Sequence, residues 1–265
     1  RGIDGGVKLL SNINMGLAGL LLLFVIIAGS IFAFAGNLFT TFSGYAEYLL
    51  PLSNPVGRED QSFYHSWTIF YWAWWISWSP FVGMFIARVS RGRTVREFLT
   101  AVLIVPMVVT GIWMAAFGGV GVDQALNGVG SLAGGIQDSS LTLFRMLENM
   151  PLTSITSFLA IVLVLVFFIT SSDSGSLVID TITAGGKTEA PAAQRVFWCA
   201  AEGFIAAALL VVGGADALSA LQAASVTTGL PFTFVLLLMC YSLLKGIQHE
   251  HKLLTLLDKQ EAGAS

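Results

Sequence analysis

Long apolar runs separated by short charged segments organise this chain. No Asp, Glu, Lys or Arg occurs between Lys8 and Glu47, Asp60 and Arg88, Glu97 and Asp123, Glu148 and Asp173, or Asp216 and Lys245. A further gap runs from Glu202 to Asp216, and uncharged residues back to Val196 lengthen it. Each gap holds, or nearly holds, the roughly 20 residues that a helix needs to cross about 30 Å of hydrocarbon. The runs lack the two-residue alternation of barrel strands, and helices are the other structure that satisfies its backbone inside lipid. The pattern predicts six transmembrane helices near 14–36, 64–90, 97–118, 152–182, 192–213 and 217–244. Between the first two, "NLFTTFSGYAEYLLPL" (37–52) spaces Phe39, Phe42, Tyr45 and Leu49 by three and four residues, which predicts an amphipathic helix in the outer interface. "LTLFRMLENM" (141–150) repeats that pattern more weakly.

Composition reinforces the membrane reading. Apolar residues make up 55% of the chain and charged ones 11%, against roughly 25% charged in soluble domains. Mean hydropathy is +0.78. A net charge of −3 gives no sign of nucleic-acid binding. Cys199 and Cys240 lie in apolar runs and read as buried thiols without a disulfide framework. His249 and His251 stand two apart, a spacing that does not converge on a metal from a helix, so 245–265 reads as a solvated tail.

Positive charge sets orientation. "RVSRGRTVREF" places Arg88, Arg91, Arg93 and Arg96 in one short loop, which predicts a cytoplasmic position. Lys8, Lys187, Arg195, Lys245 and Lys252 then fall inside, and the Gly-rich 119–151 connection and Asp216 outside. Both chain ends are expected in the cytoplasm, in a plasma (inner) membrane.

Chemistry concentrates in two places. Five of the seven tryptophans lie in "WTIFYWAWWISWSPF" (67–81). Trp78 stands ten residues before Arg88, roughly 15 Å from the cytoplasmic edge and close to the bilayer midplane. An interfacial belt therefore explains Trp67 and not Trp74, Trp75 or Trp78. The i,i+3 and i,i+4 spacings of these three let their rings cluster. Pro80, flanked by Ser77, Ser79 and Gly83, predicts an interrupted helix at midplane depth, the usual mark of a transporter's binding site. Indole faces attract cations, and several together suit a quaternary ammonium group. No carboxylate lies in this segment, which favours a zwitterion carrying its own negative charge. The second cluster is "FFITSSDSGS" (167–176), where Thr170, Ser171, Ser172, Ser174 and Ser176 surround Asp173. Hydroxyl and carboxylate oxygens are ligands for hard cations, while Ser and Thr also serve simply to pack helices closely.

With these residues in view, the chain resembles the betaine/carnitine/choline transporter family. The resemblance rests on "FYWAWWISWSPFVGMFIARVSRGRTVREF" (70–98), "ITSSDSGSLV" (169–178) and the "GLAGLLLLF" region after "LLSNIN". It implies an all-α integral membrane protein: the second inverted repeat, plus the last helix of the first, of a sodium-symporter-like (LeuT-type) transporter fold. These six helices would be the last six of twelve, and the missing N-terminal half would supply the other wall of the site. Trp74 and Thr170 would then face empty space in this chain alone. The resemblance implies that Trp74, Trp75 and Trp78 surround the trimethylammonium group, with Trp72 nearby on the pathway. It implies one side of a sodium site at Phe167, Thr170 and Ser171, and a second proposed sodium site close to Phe81. A methionine replaces Phe81 in carnitine antiporters, so the chain is more similar to the betaine and choline branch. Arg88, Arg91 and Arg93 match a loop tied to gating and regulation, and a homotrimer is the family's assembly.

The expected activity is uptake of a quaternary-ammonium osmolyte such as glycine betaine, coupled to sodium, by alternating access and without an organic cofactor. Proton-coupled choline uptake, with Asp173 as the titrating group, is the alternative within the family. A membrane-embedded enzyme lacks paired His, metal spacing or a Ser–His arrangement, and a channel lacks a filter motif.

Overall fold

The computed structural model describes residues 3–54, 56–59, 61–136, 138–187, 191–214 and 217–263, and every regular element among them is helical. α1 spans Ile3–Ala28 and α2 Ile31–Ser53. α3 (Gln61–Phe63), a π-helical segment (Tyr64–Phe70) and α4 (Tyr71–Val89) form one continuous run. α5 (Val95–Leu99), α6 (Val105–Trp113) and α7 (Gly119–Leu126) form another, joined through π-helical segments Thr100–Ile104 and Met114–Gly118. α8 (Thr142–Glu148) precedes the long helices α9 (Thr153–Thr183), α10 (Ala192–Gly213) and α11 (Ala217–Gly263).

Five helical stretches among the described residues are long and apolar enough to cross a membrane: Lys8–Ala28, Val95–Leu126, Thr153–Thr183, Ala192–Gly213 and Leu218–Leu253. The protein is a multi-pass membrane protein. The run from Gln61 to Val89 matches them in length and is not among them, because its Trp, Tyr, Ser and Pro residues dilute its hydropathy.

Several expected boundaries move. The first helix ends at Ala28 rather than near 36. Gly29 still donates its N–H to Val25 O at 2.9 Å, but Ser30 adopts φ 79°, and the left-handed residue ends the helix. The expected interfacial helix 37–52 is the greater part of α2, which starts at Ile31. Phe39, Phe42, Tyr45 and Leu49 do not share one environment: Phe42 inserts beside Gly111, whereas the other three stay exposed. The third helix continues past 118 to Leu126. Residues 141–150 do form a helix over Thr142–Glu148, yet Met146 and Leu147 are buried in protein rather than laid on an interface. The tail is helical to Gly263, continuous with the preceding span. Asp216 and the side chain of Arg88, both used above as charge landmarks, lie outside the described residues.

The chain forms two compact units, Arg1–Ser53 with Ser90–Arg195, and Asn54–Val89 with Val196–Ser265. In the first, Leu21 and Val25 of α1 share a core with Ala116, Phe117, Leu132, Met146, Leu147, Met150 and Ala160. A polar cap closes this core. Gln124 Nε2 donates to Met146 O at 3.1 Å, Asn149 Nδ2 to Gln124 Oε1 at 3.1 Å, and Thr153 Oγ1 to Met150 O at 2.9 Å. Buried polar groups in this region are thereby paired, as desolvation demands.

After the arginine loop, Thr94 starts α5 with a capping box: its N–H donates to Glu97 Oε2 at 3.0 Å, and Glu97 N–H donates to Thr94 Oγ1 at 3.3 Å. Arg91 and Arg93 are exposed on either side of Gly92, whose φ of 80° makes the turn. The second unit pairs α4 with α11. Ala73 lies against Gly229, Phe81 against Phe232 and Gly83 beside Met239. Residue numbers rise together on both helices, so the two run parallel.

Candidate functional site

The tryptophan segment builds two aromatic columns on one helix. Along one, Phe70 stacks on Trp74 (6.1 Å between centroids, 5° between planes), and Trp74 on Trp78 (6.3 Å, 20°). Along the other, Phe63, Trp67, Tyr71 and Trp75 follow one another at 6.5, 5.6 and 6.3 Å. Tyr71 meets Trp74 edge-on at 5.7 Å and ties the columns together. These are the i,i+4 contacts, with Tyr71–Trp74 at i,i+3, that helical periodicity dictates, and such ring pairs contribute about 0.5–1.5 kcal/mol beyond their buried area. The expected clustering therefore holds for Trp74 with Trp78, while Trp75 joins Tyr71 instead.

Tyr71, Trp72, Trp75 and Ile76 line an open depression of about 350 Å³. It is shallow, and Trp74, Trp75 and Trp78 are each two-fifths to half exposed in this chain (41, 50 and 50%). In this chain the indoles therefore form an open aromatic face. Tyr71 is a lining residue that the sequence reading passed over, although it stands inside the quoted aromatic run.

The expected interruption at Pro80 is absent: α4 continues through it to Val89. Pro80 has no N–H for the Ile76 carbonyl, and nearby hydroxyls bond to neighbouring carbonyls rather than to that one. Ser79 Oγ donates to Trp75 O, and Ser77 Oγ lies 2.7 Å from Ala73 O. The irregular turns sit upstream instead, in the π-helical segment Tyr64–Phe70. Such segments occur frequently at functional sites.

The hydroxyl cluster lies on α9 in the other unit. Thr170 Oγ1 is 3.1 Å from Val166 O and 3.0 Å from Phe167 O, and Ser174 Oγ donates to Thr170 O at 2.8 Å. With its proton turned back onto its own helix, the Thr170 oxygen has lone pairs left for a cation. Ser171 and Phe167 are exposed, and Asp173 is half-buried. Phe81 belongs to the second unit, where its ring packs on Phe232 at 5.5 Å.

Two further residues stand out on α9, Ser176 from the hydroxyl cluster and Asp180, which the sequence reading did not single out. Ser176 is fully buried, and Asp180 is 2% exposed with Oδ1 lacking a hydrogen-bond partner. Their positions three and seven residues after Asp173 put all three on one helix face, a spacing visible in the sequence. The cysteines correct another expectation: Cys240 is exposed and Cys199 only partly covered. A thiol on an apolar span needs no protein cover when lipid is its solvent.

Comparisons with known proteins identify the family. The family model for betaine/carnitine/choline family transporters matches residues 1–252. The chain is 62% identical over 253 residues to a protein named Glycine betaine transporter 1 from Vibrio parahaemolyticus, covering 95% of this chain and 48% of that protein. It is 56% identical over 254 residues to a glycine betaine/proline/choline transporter of the same organism (96% of this chain, 45% of the relative). It is 41% identical over 254 residues to the glycine betaine transporter OpuD of Bacillus subtilis (95% and 49%). The chain spans about half the length of the curated relatives it matches. The family match runs over nearly the whole sequence: the chain belongs to the betaine/carnitine/choline transporter family.

Proposed function

We propose that this chain is the C-terminal half of a secondary transporter that takes up a quaternary-ammonium osmolyte, with glycine betaine as the first substrate to test. The observation that carries the reading is the aromatic face of α4, where Trp74 and Trp78 stack and Tyr71, Trp72 and Trp75 line an adjoining depression. A trimethylammonium group offers no N–H, so hydrogen-bond acceptors cannot hold it, whereas each desolvated indole contact contributes about 0.5–2 kcal/mol. Several such contacts suffice for roughly micromolar affinity. The rest of the protein closes that face, as the relatives' greater length supports. Trp74, Trp75 and Trp78 contact the cation, and Trp72 lines the approach.

Sodium is the coupling ion in this reading. The hydroxyls of Thr170 and Ser171 offer hard oxygen ligands, beside the exposed ring of Phe167, and Phe81 stands near a second ion position. Coupling requires sodium to bind one facing state of the transporter better than the other. Gln61–Val89 is a sixth membrane span, both chain ends face the cytoplasm of a plasma membrane, and Arg88, Arg91 and Arg93 with Asp173 regulate the cytoplasmic side. The assembly is a homotrimer.

Uptake of radiolabelled glycine betaine and choline by the full-length protein, with sodium and proton gradients imposed separately, tests this directly. Betaine accumulation driven by sodium alone is expected; accumulation driven only by protons removes the sodium assignment, and no accumulation removes the substrate. In the same assay Thr170→Ala with Ser171→Ala raises the sodium concentration for half-maximal uptake by about tenfold, as expected for loss of charge-assisted ligands worth ~1.5 kcal/mol. An unchanged sodium dependence rejects the site.

A further inference from the structure

The two parallel helices of the second unit carry the same short motif. α4 has Ser77-x-x-Pro80-Phe81, and α11 has Thr228-x-x-Pro231-Phe232. The structure places the motifs against each other. Thr228 Oγ1 lies 3.3 Å from Ser77 Oγ, Ser77 Oγ lies 2.8 Å from Ser225 O, and the Phe81 and Phe232 rings meet at 5.5 Å. One turn before Ser77 the backbones nearly touch: a Cβ built on Gly229 would stand 3.2 Å from Ala73 Cβ and 3.3 Å from Ala73 O.

Helical geometry gives this contact a consequence. Ala73, Ser77 and Phe81 are spaced by four and form one stripe of α4, and their contacts show that this stripe faces α11. At 100° per residue, Tyr71 and Trp75 project to the other side of the same helix, Trp78 projects sideways, and Trp74 stands beside the stripe, two turns before Phe81. Whatever sets the rotation of α4 on α11 therefore aims the aromatic face. Each helix also lacks one backbone hydrogen bond at the same level, because Pro80 and Pro231 have no N–H, and missing bonds of this kind are where helices bend. The hydroxyl contact lies before the proline level and the phenyl contact after it. Bending or turning α4 alone would break one or the other.

We infer that the paired hydroxyl-x-x-Pro-Phe motifs of α4 and α11 form a clamp that aims the tryptophan face at the substrate and makes the two helices move as one, with Ser77 and Thr228 as positioning residues. The inference rests on the transport reading above, in that the aromatic face is taken to hold the substrate. It assigns to α11, which carries none of the expected binding residues, a direct part in setting affinity.

The experiment uses the full-length protein. Ser77→Ala and Thr228→Val each remove a hydroxyl at nearly constant volume, whereas Thr228→Ser retains it. Interhelical hydrogen bonds in membranes are modest, so the expected change is an about three- to tenfold rise in KM for glycine betaine, at unchanged membrane abundance and with wild-type behaviour restored in Thr228→Ser. A merely structural role would lower abundance and maximal rate together and leave KM in place. Separately, Ala73→Cys with Gly229→Cys, after Cys199→Ser and Cys240→Ser, is expected to form a disulfide on mild oxidation, since the 3.2 Å between the two Cβ positions needs to open by only a few tenths of an ångström to reach the about 3.5–4.5 Å range of disulfides. No cross-link overturns the clamp, and so does a cross-link accompanied by unchanged KM in both hydroxyl variants. If the unsubstituted protein accumulates no betaine, the transport reading falls and the aiming role falls with it, while the cross-link still reports whether the helix contact exists.

Discussion

Replacing Trp78 with leucine is expected to raise the KM for glycine betaine by about 30-fold or abolish measurable uptake, with the protein still reaching the membrane. The size follows from the loss of one desolvated cation–π contact worth ~2 kcal/mol. Losing its stack on Trp74, 6.3 Å away, also frees that ring to turn from its position. Trp78→Phe retains a weaker aromatic face and falls between the two. Trp67→Leu serves as the comparison, because Trp67 sits nearer the N-terminal end of the run and pairs with Phe63 and Tyr71 rather than with Trp74 or Trp78. Dose–response curves of labelled betaine uptake, normalised to surface protein, supply the measurement. Equal KM values for Trp78→Leu and the parent would reject the aromatic face as the substrate's binding surface.

The second large effect concerns folding of the other unit. α2 packs on the helical run Val95–Leu126 through Phe42, whose ring occupies the place of the missing side chain at Gly111. A Cβ there would stand 2.3 Å from Phe42 Cζ, a separation that non-bonded atoms cannot adopt. Gly111→Leu must expel the ring, and overpacking of this kind costs about 1–3 kcal/mol. The expected result is a clear drop in midpoint temperature in detergent, with poor recovery of folded protein. A double-mutant cycle isolates the cause. Gly111→Ala should be destabilising beside Phe42 and close to neutral beside Phe42→Ala; equal effects in both backgrounds would show that the ring does not fill that space.

Charge-free runs marked most of the long helices, because the cost of burying charge in hydrocarbon is paid locally, residue by residue. The aromatic columns were legible for the same reason. Side chains four apart on a helix meet whatever surrounds them, and Trp74 on Trp78 follows from spacing alone. The Pro80 interruption did not follow. Proline removes one backbone bond, at the Ile76 carbonyl, but the helix continues on either side of it, and Ser77 Oγ, 2.8 Å from Ser225 O, ties the turn to α11. Local sequence reports the defect and not the neighbour that supports the helix. The helix end at Ser30 was missed for a related reason: a serine at φ 79° carries no sign of that conformation in an apolar stretch.

What the sequence by itself determined is the solvent and the chemistry: an all-helical membrane chain with indoles and hydroxyls concentrated in two segments, because hydropathy and short-range spacing are properties of neighbouring residues. What only the tertiary structure decided is which face each helix turns inward. Ser77 and Thr228 stand 151 residues apart, and Phe42 and Gly111 belong to different helices. Such pairs depend on how packed surfaces interlock, and no local periodicity encodes the partner that fills a glycine's empty place.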